Sequence, residues 1–113
     1  IINISSTPAI AGYDKGIPYT IAKSGLLALT KHLALEYGKF NIRVNSLALG
    51  NIRTSSTFDQ IDKIEQEKLG TESSLRRWGE PDEVAKTCLM LVSDNFSFVT
   101  GQTIIVDGGT VMF

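Results

Sequence analysis

Tyr19 and Lys23 stand four residues apart at the head of a long helical pattern, with Ser6 thirteen positions upstream of the tyrosine. A helix brings i and i+4 to one face, so the phenol and the ammonium can reach one substrate from one side. A phenol ordinarily keeps its proton at neutral pH. A unit cation about 4 Å away, at an effective dielectric of about 20, favours its ionised form by about 4 kcal/mol. A tyrosine beside a fixed cation therefore suits proton exchange with a carbonyl oxygen, which points to redox chemistry at a C–O bond. A hydroxyl such as that of Ser6 could steady charge developing on that oxygen. Taken singly, Tyr19 also reads as an amphipathic anchor, Lys23 as a solvated charge and Ser6 as a turn former.

The elements that must position these groups alternate along the chain. Residues 1–5 form a strand of apolar character, followed by a Gly- and Pro-rich loop from Ser6 to Pro18. Pro18 to about Tyr37 suits a helix: proline fits its first turn, Leu26, Leu29, Leu33 and Tyr37 recur at helical spacing, and Gly38 offers a left-handed stop. Ile42 to Leu49 reads as a second strand ending at Gly50. Thr54 to Gly70 holds one or two short amphipathic helices, and Pro81 opens another that runs to about Ser93. Gln102 to Asp107 is a third strand, closed by Gly108-Gly109. Strand, helix, strand, helices, strand predicts a parallel α/β sheet. Three strands leave open edges that a partner segment or subunit should cover.

The 113 residues suffice for one domain, and 11 basic residues against 12 acidic ones suggest neither a nucleic-acid nor a membrane surface. The lone Cys88 reads as a small buried hydrophobe and fits a reducing, cytoplasmic setting. His32 has no companion that would suggest a metal. The opening Ile1-Ile2-Asn3-Ile4 reads as a strand already under way.

In order and spacing, Asn3-Ile4-Ser5-Ser6, Tyr19-x-x-x-Lys23, Arg43-Val44-Asn45, Gly50-x-Ile52-x-Thr54, Gly79-x-Pro81-x-Glu83-Val84-Ala85, Thr100-Gly101-Gln102 and Val106-Asp107-Gly108-Gly109 resemble the short-chain dehydrogenase/reductase family. The likeness covers that family's C-terminal half. It implies a Rossmann-type doubly wound parallel sheet, with residues 1–113 as the catalytic half and the dinucleotide-binding half absent. The Gly12-x-x-x-Gly16 stretch, followed by Pro18, is not the family's phosphate turn. The resemblance further implies an NAD- or NADP-dependent oxidoreductase interconverting a ketone and a secondary alcohol, by hydride transfer between the nicotinamide and the carbonyl carbon.

Carried over by position, Tyr19 is the general acid/base, Lys23 tunes it and grips the nicotinamide ribose, and Ser6 holds the substrate oxygen. Ser5, the adjacent competitor, turns into the structure. Gly50, Ile52 and Thr54 hold the nicotinamide. Leu49 stands where the family usually has proline, which loosens that turn. Ser55 to Trp78 falls where the family keeps a variable substrate lid, and Arg76, Arg77 and Trp78 are candidates to touch substrate or to serve as surface charge and packing. Asp107-Gly108-Gly109 is assigned to structure. The ending is similar to 3-oxoacyl-ACP reductases and to sugar dehydrogenases of the glucose 1-dehydrogenase kind. The family commonly forms homodimers and homotetramers. The alternative is a non-catalytic fragment or pseudoenzyme serving as an interaction module.

Overall fold

The computed structural model describes residues 1–113. Three parallel strands, β1 (Ile2–Ser6), β2 (Asn45–Leu49) and β3 (Thr103–Val106), form a sheet in the order β1-β2-β3. Ser6 pairs with Leu49 and Leu49 with Val106, so the three strands end side by side. Parallel strands need long crossovers. The first carries a short helix α1 (Pro8–Ala11), which the loop reading of this segment missed, and the long α2 (Ile17–Tyr37). The second carries α3 (Lys63–Glu72) and α4 (Pro81–Val92). This is a Rossmann-like α/β arrangement with one parallel sheet.

The core lies where α2 crosses β1 and β2. Val44, Leu47 and Ala48 are fully buried, with Thr30 and Ala34 of α2 buried above them. The packed face of α2 thus centres on Thr30 and Ala34, whereas Leu29 and Tyr37, expected within the apolar stripe, are partly exposed. Polar pins fix the register: Asn3 Nδ2 donates to Thr30 Oγ1 at 2.9 Å and Ser46 Oγ to the Asn3 carbonyl at 3.1 Å. A small, polar helix face lets these bonds form, and leucine at position 30 or 34 would hold the helix off.

Gly38 does not terminate α2 in a left-handed conformation. Its φ of −56° continues the chain into a 3-10 turn, and Asn41, at φ 60°, makes the reversal instead. β2 starts three residues later than expected, because Arg43 and Val44 serve another purpose. The Arg43 guanidinium donates to the carbonyls of Leu91 and Val99, at 2.8 and 3.1 Å, and the first of these ends α4. The Val44 N–H donates to Thr100 Oγ1, and the buried Asn45 amide bonds both the Val99 carbonyl and the Gln102 N–H. The Arg43-Val44-Asn45 and Thr100-Gly101-Gln102 motifs are therefore two halves of one hydrogen-bonded seam that sets β3 beside β2.

Candidate active site

Ligands in parallel α/β sheets bind beyond the carboxyl ends of the strands, and a cleft of about 640 Å³ opens there. Ser6 lies at the end of β1, Leu49 and Gly50 at the end of β2, and Thr110 and Val111 just beyond β3; all of them line it. Tyr19, in the first turn of α2, closes one side. Pro18 at the helix start and the left-handed Gly16 before it set that turn. Tyr19 is half exposed and lines the cleft.

Lys23 shares the face of Tyr19, as the i, i+4 spacing requires, with its ammonium 5.7 Å from the tyrosine ring centroid. It differs from expectation in one respect: Lys23 does not line the cleft. Its Nζ donates to the Ile4 carbonyl at 3.0 Å, because β1 is an edge strand and leaves that acceptor free. The lysine thus stands behind the tyrosine instead of beside it. Ser5 turns inward as expected, 2 % exposed, and its Oγ donates to the Lys23 carbonyl at 2.8 Å. That bond anchors the second turn of α2 to β1. Ser6 Oγ faces the cleft and donates to the Leu49 carbonyl at 3.3 Å, long for a hydroxyl donor and easily exchanged for a better acceptor.

Gly50 has a steric reason to be glycine: a Cβ there would lie 2.6 Å from Asp107 Cβ. Ile52 lines the cleft; its carbonyl accepts from Thr57 Oγ1 at 2.8 Å, and it bridges to Gly79. Thr54 is not among the lining residues. Its hydroxyl lies 2.8 Å from that of Thr57, and Thr57 lines the cleft in its place. The opposite wall is the segment the sequence assigns to a lid: Ile61, Glu65, Lys68, Leu69 and Glu72, backed by Trp78. Trp78 packs edge-on against Phe58 at 5.2 Å, and its Nε1 donates to the Gln66 carbonyl at 2.8 Å. Gly70 is small because the indole lies on it.

Arg77 turns away to a bidentate pair with Glu83 at 2.7 and 2.8 Å. Hydrogen bonding from Arg77, then from the Glu80 backbone, lowers the Glu83 carboxyl to about 2. Arg76 sits at φ 57°, its guanidinium donating to the Thr71 carbonyl. Both arginines line a second hollow of about 500 Å³ together with Arg53 and Trp78. Tyr13, Thr57, Thr110 and Val111 are cleft residues that motif spacing alone did not single out, since they belong to loops whose course is set by tertiary contacts.

A family model described as enoyl-(acyl carrier protein) reductase matches residues 1–111. The chain belongs to this short-chain dehydrogenase/reductase family. It is 40% identical to dehydrogenase/reductase SDR family member 4 of Bos taurus over 114 residues, covering 98% of this chain and 40% of that one. It is 43% identical to a 3-oxoacyl-[acyl-carrier-protein] reductase of Chlamydia trachomatis over 109 residues, covering 96% and 44%. The fold matches 4-hydroxyisoleucine dehydrogenase complexed with NADH, TM-score 0.91 at 35% identity, over 98% of this chain and 46% of that one. It also matches the angucycline C-6 ketoreductase LanV with bound NADP, TM-score 0.89 at 30% identity, over 97% and 42%. The chain spans less than half the length of these relatives, and the family uses NAD(P). No helix is long and apolar enough to cross a membrane.

The residues present fit the nicotinamide end of such a cofactor. The Gly50 backbone, Ile52 and Thr57 border the same volume as Tyr19 and Ser6. Gly12 to Lys15 form a rim of the cleft, and Gly16 leads from them into α2. The stretch does not follow a strand as a phosphate turn does.

Proposed function

We propose that the protein is an NAD(P)-dependent oxidoreductase that interconverts a ketone and a secondary alcohol of a small molecule, with Tyr19 as the proton donor and acceptor. The observation that carries this reading is the placement of Tyr19 and Ser6 on one cleft at the strand ends, with the Lys23 ammonium behind the phenol. The bound nicotinamide supplies or takes the hydride. Ser6 turns its hydroxyl from the Leu49 carbonyl to the substrate oxygen, giving up only a long hydrogen bond. Tyr19 exchanges its proton with the same oxygen. The Lys23 ammonium, 5.7 Å from the tyrosine ring centroid, offsets the negative charge that develops as the proton moves. Gly50, Ile52 and Thr57, with Thr54 behind Thr57, border the nicotinamide.

Both 3-oxoacyl thioesters and sugars fall within this chemistry, and the rim charges Asp14, Lys15, Glu65, Lys68 and Glu72 give neither sign of substrate a strong advantage. The working protein is proposed to be a homodimer or homotetramer. A panel of carbonyl substrates with NADH and NADPH, run on the full-length protein beside Tyr19→Phe, tests the reading. General acid/base catalysis is worth about 10²–10⁴ in rate. Tyr19→Phe should lose that much turnover while binding cofactor normally, and undiminished turnover would refute the assignment.

A further inference from the structure

One carboxylate outside the cleft ties two of its walls together. Asp107 follows β3. Its Oδ1 accepts from the Gly109 N–H at 2.8 Å and its Oδ2 from the Val111 N–H at 2.7 Å. These are short, charge-assisted bonds. They fold residues 107–111 into a turn in which Gly108 and Gly109 stand at φ 66° and 80°, conformations that glycine adopts without a side-chain penalty. The Thr110 hydroxyl closes the turn on the Asp107 carbonyl at 2.9 Å.

The turn meets the site on two sides. On the first, Gly50 donates its N–H to the Val106 carbonyl at 3.0 Å and passes so close that an added Cβ would lie 2.9 Å from Asp107 Cα. On the second, Ser74 Oγ donates to the Gly109 carbonyl at 2.8 Å and the Leu75 N–H to the Gly108 carbonyl at 3.1 Å. Ser74 and Leu75 follow α3, whose residues form the cleft's far wall. Thr110 and Val111, at the end of the turn, line the cleft themselves.

We propose that Asp107 is a positioning residue: its carboxylate shapes the turn that holds the Gly50–Ile52 strand exit and the C-terminal end of the lid segment at a fixed separation. This rests on the reading of the cleft as a nicotinamide oxidoreductase site. Asparagine at 107 keeps one acceptor oxygen and puts a donor where the second stood, so it retains one of the two turn bonds. Alanine retains neither. The effect on the nicotinamide wall is therefore graded.

The test uses the full-length protein and three ligands: NADH, NADPH and ADP-ribose, which lacks the nicotinamide. A lost hydrogen bond to a charged group corresponds to about tenfold or more in an equilibrium. Asp107→Asn should weaken the preferred dinucleotide by about tenfold and Asp107→Ala by more. ADP-ribose affinity should stay unchanged, and the KM for the carbonyl substrate should rise with the same grading. Equal losses for dinucleotide and ADP-ribose, or a lower active fraction with KM unchanged, would mean a purely structural aspartate and overturn the proposal. Ser74→Ala removes one of the two lid-side bonds, leaving the Leu75 N–H on the Gly108 carbonyl, and keeps the test decisive should Asp107→Ala fail to fold. It should raise substrate KM severalfold at constant cofactor affinity; an unchanged KM counts against the proposal. Wild-type protein that binds neither reduced cofactor overturns both readings. Wild-type protein that turns over normally, with Asp107 variants indistinguishable from it, overturns this one alone.

Discussion

Replacing Lys23 with methionine removes the charge behind Tyr19 and keeps most of the side chain's length. At 5.7 Å from the ring centroid, a unit charge in an effective dielectric of about 20 is worth about 3 kcal/mol. Tyr19 is half exposed, and solvent screening reduces that figure to about half. Between these bounds, kcat near neutral pH should fall by about one to two decades, at about 1.4 kcal/mol per decade. A separate cost comes from the lost bond to the Ile4 carbonyl. Water can replace that bond at an exposed edge, so about 1 kcal/mol of stability is at stake, or about 4 °C in Tm. Steady-state kinetics across pH, beside thermal unfolding, separates the two effects. Lys23→Arg keeps the charge on a different geometry and should recover part of the rate. If Lys23→Met kept kcat within about twofold while Tm fell, the lysine would be a tie between α2 and β1, and the electrostatic reasoning would fail.

Leu49→Pro should leave cofactor affinity equal or improved. The Asn45 N–H faces β1, whereas those of Ser46 and Gly50 face β3. The alternation turns the Leu49 N–H toward β1, so proline gives up about one ladder bond there and regains about 0.4–1 kcal/mol by restricting the unfolded chain. Titration with NADH or NADPH checks this, and a large loss of affinity would show that leucine supports a different turn. Arg77→Gln should raise the titration midpoint of the Glu83 carboxyl from about 2 toward ordinary carboxylate values, read by carbon NMR. Because the folded value lies below the unfolded one, the contribution of Glu83 to stability is complete above about pH 4.5 and is lost as pH falls toward about 2. Wild type should therefore lose stability in that acid window more steeply than Arg77→Gln, and superimposable acid curves would discount the pair. Trp78→Phe removes the indole donor from the Gln66 carbonyl and loosens the packing on Phe58; amide exchange should quicken in α3 while the sheet keeps its protection, and uniform exchange throughout would contradict a separately held lid wall.

The parallel sheet, the three crossover helices and the common face of Tyr19 and Lys23 were legible in the sequence because local rules decide them: apolar runs, first-turn prolines and helical spacing. Ser5 and Ser6 separated as expected because adjacent strand residues point to opposite faces. What escaped depends on contacts distant in sequence. Gly38 looks like a helix stop, yet the turn falls at Asn41. Thr54 matches the motif position, yet Thr57 reaches the cleft because the loop folds one hydroxyl behind the other. Arg43 looks like part of a strand and caps α4 instead. Asp107 and Gly50, 57 positions apart, constrain each other through a contact that no spacing rule displays.

Trp78 is the single tryptophan of these 113 residues, and it borders both the cleft and the arginine-lined hollow behind the lid. Its indole is therefore a built-in optical reporter for this region. Emission from it should be quenched when a reduced nicotinamide settles nearby, and its colour should shift when the lid segment rearranges. Occupancy and lid movement can thus be followed in real time without attaching a dye.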